Sequence, residues 1–361
     1  MEQLNLDIRS SVRLESMRGI AAMQVALYHC ALVVEFSPVS SATVPLTKII
    51  FNGQAAVILF FVLSGMVLGL SLQRYSGSFF RIYATFMARR IFRIYPVFVV
   101  VTLLIYFYYL LYHCTLPESP SSWANSWFPE SADLETLAGN LLLLNFSLNK
   151  VTWTLRMELI GSAVLPLFFF LFLACRRMLY LLLILLILAS FAFPSFSTLS
   201  LLIPFLLGML LPHFGQSIRS NTGKMPEVFV LSTGVMVFLF SRHFDLAENF
   251  TILLESASAT TILWYIAYGK FKGFSSWLDL PFLNFAGRVS YSYYLLHPPF
   301  LLCLTFLTLH PLQSIGMHPV FVMITLWVSS SIPAFIIANL FHGYIEIPMI
   351  KFSKKLTSAN P

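Results

Sequence analysis

The stretch IIFNGQAAVILFFVLSGMVLGLSL, residues 49–72, holds no charged side chain. A helix needs about 20 mostly apolar residues to cross a bilayer. The run is continuous and does not alternate with period two as a barrel strand would. The rest of the chain repeats this pattern. Of 361 residues, 58% are hydrophobic and 10% charged, and 36 are Phe. An average soluble domain is roughly 25% charged. A soluble fold of this size cannot hide so much apolar surface. The composition excludes a soluble globular protein, a disordered chain and a disulfide-rich secreted scaffold. The expected fold class is all-α, a polytopic helical membrane protein.

Ten spans are predicted, at about 17–36, 49–72, 94–113, 154–174, 178–193, 198–213, 227–242, 250–269, 288–309 and 319–342. The fifth and sixth are short and share the Phe193-Pro194 turn. Residues 134–148 are apolar but brief, and are expected as a helix lying in or dipping into the outer interface. With the N-terminus in the cytoplasm, Lys48, Lys150 and Arg242 fall outside and Arg156 just inside a span. The other 18 of the 22 basic residues fall on the inner side, as the positive-inside rule requires. An eleventh span at 134–148 would put Arg176 and Arg177 outside. Both termini are therefore expected in the cytoplasm. The chain is expected to form one transmembrane domain over 1–361, with no soluble extra domain and no clear internal repeat.

The net charge of +7 lies in short segments between apolar runs, so it reports topology, and no nucleic-acid partner is expected. Cys30, Cys114, Cys175 and Cys303 form no C-x-x-C pair. Neither a disulfide framework nor a zinc site is indicated, and no metal is expected. The first apolar run carries Gln24, Tyr28 and His29, which the apolar core of a cleavable signal normally lacks.

Ionisable groups inside a span are costly and read first as functional candidates. His29 follows Arg18 by eleven positions, which puts both within roughly 20° of one helical face and about 16 Å apart. An imidazole near the bilayer centre can stay neutral and accept a proton; the bland alternative is a packed histidine. Glu158, in Trp153-Thr154-Leu155-Arg156-Met157-Glu158, is predicted near the outer end of its helix, as a functional carboxylate or as a snorkelling or ion-paired acid. His297 lies roughly 14 Å from the inner edge at Arg288, a depth matching that of His29. Pro298 and Pro299 after it free the carbonyls of Tyr294 and Leu295, either to line a cavity or to make a packing kink. Arg89, Arg90 and Arg93 converge on one helical edge. They suit phosphate oxygens, or serve as a topogenic anchor on anionic lipid. Gly65 and Gly69, beside Ser64, form a small-x-x-x-small pair that packs within one chain or between two, which leaves a homo-oligomer open. Glu346 follows the last span and is free to pair with the inner arginines.

In order along the chain, these pieces resemble the acyltransferase 3 family of membrane O-acyltransferases. Leu14-Glu15-Ser16-Met17-Arg18-Gly19-Ile20-Ala21-Ala22 with Tyr28-His29 resembles the opening motif. Phe60-Phe61-Val62-Leu63-Ser64-Gly65 is similar to the second-helix motif. Arg89-Arg90-Ile91-Phe92-Arg93-Ile94-Tyr95-Pro96 resembles the arginine-rich entry to the third helix. Trp153 to Glu158 resembles the Trp-Ser-Leu…Glu motif, and Gly287 to His297 the late-helix motif. The similarity spans about residues 14–348. Glu15 stands where Asp is frequent, Met66 where Phe is usual, Arg156 at an often small or apolar position, and Leu159 where an aromatic is commoner.

The resemblance implies transfer of an acyl group, commonly acetyl, from cytoplasmic acetyl-CoA or another acyl-CoA to a hydroxyl across the membrane. The implied acceptors are glycans such as O-antigen, exopolysaccharide and peptidoglycan, or lipid-linked saccharides, and the implied location is the bacterial cytoplasmic membrane. Arg89, Arg90, Arg93 and Arg18 would meet the coenzyme A phosphates. His29 would act as general base or transient acyl carrier, and Glu158 would hold or activate the acceptor. Tyr28, Ser64, Trp153, Tyr291 and His297 would shape the channel. A transporter or flippase for a lipid-linked sugar or small anion is the rival from another class, since buried histidines and a broken helix suit proton coupling too. A scaffold without catalysis is a third reading.

Overall fold

The computed structural model describes residues 7–34, 52–112, 121–127, 129, 133–193, 197–221, 224–244, 246–270 and 272–358. Among them there are helices and no strand. In chain order the main helices are α1 (Ile8–Val34), α2 (Gly53–Leu72), α3 (Phe79–Tyr112), α4 (Ser122–Asn125), α5 (Leu134–Leu141), α6 (Trp153–Ala174), α7 (Arg176–Ala192), α8 (Leu202–Asn221), α9 (Lys224–Phe240), α10 (Glu248–Tyr268), α11 (Pro281–Arg288), α12 (Ser290–Ser314), α13 (Pro319–Phe341) and α14 (Ile347–Ser358). Lys48, Cys114 and Pro194 lie outside the described residues.

Among the described residues, seven helices are long and apolar enough to cross a membrane, or eight if the bent α12 counts as one span. The protein is an all-α polytopic membrane protein. The ten predicted spans include α7 and α9, which come out at 17 residues each. That is about 26 Å of helix against a hydrocarbon core of about 30 Å. The α5 helix has eight residues, about 12 Å, and is far too short to span. Several helices overrun the apolar stretch that predicts them. The 34-residue α3 is about 51 Å long, because Arg81, Arg89, Arg90 and Arg93 are good helix formers that continue the helix past its apolar part.

Two compact units divide the chain. The first takes the start of α1 to Ala21, then Lys48–Met87 and Met157–Gly287. Its tightest seam is the crossing of α2 and α8. A Cβ added at Gly65 would overlap the Phe205 carbonyl, and one at Gly208 the Val62 carbonyl. Gly69 sits against Met209. The Gly65/Gly69 pair thus packs within the chain. The α1 start is held as closely: a Cβ at Gly19 would lie 2.6 Å from the Gly287 nitrogen. Arg13 grips Asp279 with two hydrogen bonds of 2.8 and 2.6 Å and Ser275 with a third of 2.8 Å. That guanidinium holds the Asp279 carboxyl below the usual carboxylate range. Elsewhere in this unit Glu255, fully buried, accepts from Asn52, Ser241 and Arg242.

The second unit takes Ala22–Thr47, Ala88–Arg156 and Arg288–Pro361. Its core is built on α12 and α13. Tyr293 is fully buried, stacks on Phe335 at 4.0 Å between centroids, and shares a 2.8 Å hydrogen bond with Ser331. Glu346 pairs with the Ser292 hydroxyl and, at 2.9 Å, with His342, in place of the arginine partners open to it from sequence.

Candidate functional site

In the second unit α1 and α12 bring two histidines together. His29 Nδ1 lies 3.0 Å from His297 Nε2. The rings are nearly parallel, 17° apart, with centroids at 5.2 Å. His297 is buried and His29 half-buried. Three further rings surround His29: Trp123 at 5.4 Å, Trp127 at 5.5 Å edge-on, and Tyr28 at 5.9 Å. The two histidines, which the sequence places on separate helices, are in direct contact. His297 Nδ1 is buried with no hydrogen-bond partner.

The backbone explains how α12 holds its histidine. Pro298 and Pro299 lack N–H groups, so the carbonyls of Tyr294 and Leu295 lose their helical donors. Asn149 Nδ2 donates to the Leu295 carbonyl at 3.0 Å. The hydroxyls of Thr154 and Tyr294 lie 3.2 Å apart. Two side chains flanking the start of α6, where Trp153 is the first residue, therefore stitch that motif to the break in α12. Asn149 is itself placed by a knot after α5. There Asn140 donates to the Thr136 carbonyl, Asn145 and Ser147, and accepts from the Leu148 N–H. Leu143, at φ 57°, is a buried non-glycine residue in the left-handed region, a strain that the surrounding contacts must hold.

The arginine cluster is in place on α3. Arg90 is buried, and Arg89 and Arg93 are half-buried. Arg89 Nε donates to Thr357 Oγ1 at 2.9 Å, and Phe92 meets Phe352 edge-on at 5.4 Å. Both partners sit on α14, whose Lys351, Lys354 and Lys355 are exposed. The Tyr291 hydroxyl donates to the Ile94 carbonyl at 2.6 Å, which ties the late-helix motif to the arginine-rich one. Arg156 is exposed and lies over the Phe146 ring at 4.9 Å.

In the first unit Ser64 Oγ donates to Glu158 Oε1 at 3.4 Å, joining the second-helix and Trp153–Glu158 motifs. Arg18 is half-buried on the first half of α1.

Sequence reasoning passed over Trp123, Trp127, Asn149 and the basic face of α14. The tryptophans carry a signal: two indoles four residues apart share a helical face and stand out in the otherwise polar stretch from Ser121 to Trp127.

The family model of an acyltransferase domain matches residues 11–342, nearly the whole chain. The chain belongs to the acyltransferase 3 family. No curated protein and no solved structure matches it. As an acyltransferase 3 member it is a membrane acyltransferase, and each of the five quoted motifs lies wholly inside the matched residues.

Proposed function

We propose that this acyltransferase moves an acyl group from an acyl-coenzyme A to a hydroxyl of a glycan or lipid-linked saccharide, with His29 as general base. The observation that carries the reading is the His29–His297 contact. A neutral imidazole has one N–H and one bare nitrogen. With its proton on Nδ1 and donated to His297 Nε2, His29 presents a bare Nε2. The opposite tautomer would place an N–H where the base must be. The role therefore fixes His29 as the donor in the pair and makes His297 a positioning residue.

The acceptor O–H gives its proton to His29 Nε2 as the oxygen bonds to the thioester carbonyl carbon. The tetrahedral intermediate then expels the coenzyme A thiolate, which takes that proton back. The products are an ester and free coenzyme A, and the imidazole pair returns to its starting state. Arg89, Arg90 and Arg93 offer guanidinium forks to the coenzyme A phosphates, and the lysines of α14 add charge on the same side chains' own helix neighbour. Arg18 belongs to the same donor set: on α1 it precedes His29 by about 16 Å of helical rise, a span that suits an extended pantetheine arm. Glu158, with Ser64 on its carboxylate, is assigned to the acceptor. Acetyl or another short acyl group as cargo, and the cytoplasmic membrane of a bacterium as the location, belong to the same reading.

The test is deletion of the gene in its host, with mass spectrometry of the O-acyl content of surface glycans and lipid-linked saccharides. Loss of one O-acyl species, restored by the wild-type gene and not by a membrane-inserted His29→Ala variant, is the expected result. Restoration by His29→Ala, or no change on deletion, rejects the proposal. Release of free coenzyme A by purified protein separates it from a transporter, which would move its cargo without cleaving a thioester.

A further inference from the structure

Beside the imidazole pair the second unit holds a cavity of about 320 Å³. Leu296 and Pro298, which flank His297, line it, and so does Trp127, whose ring meets His29. Ile105, Leu302, Cys303 and Ile337 form much of the remaining wall. Asn149 also faces the cavity. It is buried, its Nδ2 is committed to the Leu295 carbonyl, and its Oδ1 has no hydrogen-bond partner.

We propose that this cavity is the acyl-chain slot of the donor thioester, and that it selects a straight chain of six carbons or more over acetyl. The proposal rests on the acyl-coenzyme A reading above. The size argues for it: a cavity of about 150 Å³ takes a six-carbon benzene, so an acetyl methyl would leave most of this space empty. The lining argues for it as well. A saccharide needs several polar partners, and these walls are mainly hydrocarbon. The location adds a third argument, since a thioester carbonyl held at His29 has its acyl carbons next to Trp127 and Pro298. The cavity's place beside the imidazole pair favours the acyl chain of a thioester over a stray lipid tail.

The test uses the purified full-length protein in detergent and needs no acceptor. Equilibrium affinities are measured for coenzyme A, acetyl-CoA, butyryl-CoA and hexanoyl-CoA. Affinity is expected to rise by about fourfold for each methylene added from acetyl to hexanoyl. Cys303→Trp and Ile337→Trp, which fill the slot from two walls, should collapse the hexanoyl-to-acetyl ratio towards one. A flat series in the wild type overturns the slot while leaving the acyl-coenzyme A reading intact. So does a ratio that both tryptophan variants leave unchanged. A flat series with a phospholipid retained in native mass spectra, and lost in the tryptophan variants, assigns the cavity to a lipid tail instead. If neither coenzyme A nor any thioester binds, the donor reading itself falls and takes the slot with it.

Discussion

The crossing of α2 and α8 and the break in α12 are both built from apolar helices, yet they are opposites. At the crossing, Gly65 and Gly208 bring backbone against backbone, and no room is left. At the break, two prolines remove helical hydrogen bonds, Asn149 replaces one of them from outside the helix, and a cavity stays open beside two imidazoles. Glycine pairs in an apolar helix thus mark where the fold closes. A histidine followed by paired prolines marks where it is kept open, because broken backbone in a membrane is tolerated only where protein or a cavity satisfies it.

The sharpest way to break this contrast is at His297. His297→Leu removes the acceptor for His29 Nδ1–H and is expected to lower kcat about a hundredfold, the order of loss that misplacing a reacting group produces. His297→Gln keeps an acceptor oxygen and should recover part of it, with KM for the acyl-CoA little changed in both. A purely structural role would lower folded yield in both variants and show no rescue by Gln. Acyl-CoA turnover per folded molecule is the readout. At the closed seam the expected damage is to the fold. Gly208→Leu drives a side chain into the Val62 carbonyl and should cost about 1–3 kcal/mol or more, read as a drop in melting temperature in detergent. Gly343→Ala is the control, since nothing lies within 4 Å of a Cβ there. Between these extremes stands the arginine cluster. Arg93→Gln is expected to raise the acyl-CoA KM about tenfold, the lower end for a lost charge-assisted hydrogen bond, and the wild-type KM should rise with salt.

Much of both regions can be read from the chain. The interval between Arg18 and His29, the matched depth of His297 and the carbonyls freed by Pro298 and Pro299 follow from helical geometry alone. Those quantities depend only on residue spacing within one helix. What spacing does not carry is which side chain arrives from another element. Asn149 meets Leu295 across 146 positions, and Trp123 and Trp127 reach His29 from a stretch that reads as a polar connection. The Glu346 partners were misjudged for the same reason: charge suggested arginine, whereas α12 offers Ser292 and the turn before it in sequence offers His342. The number of spans is blurred by a different cause. The 17-residue α7 and α9 sit at the lower limit of what crosses a bilayer, so composition alone counts them in.

The smallest expected effect comes from an ion pair of the first unit that reaches solvent. Arg13 is buried, whereas the Asp279 side chain is 42% exposed. Water therefore screens much of the bidentate contact, and Asp279→Asn should cost at most about 1 kcal/mol. Its pH dependence identifies it nonetheless. Arg13 lowers the Asp279 carboxyl below its ordinary value, so the folded state holds its proton less tightly than the unfolded chain does. The stabilisation is then fully present above the unfolded value of about 3.9 and is lost as pH falls through the lower folded value. Melting curves between pH 6 and pH 3 should show the wild-type advantage over Asp279→Asn constant at first and shrinking only below about pH 4. An advantage that persists unchanged to pH 3 would mean that the pair contributes through shape, as the glycine seam does, and not through charge.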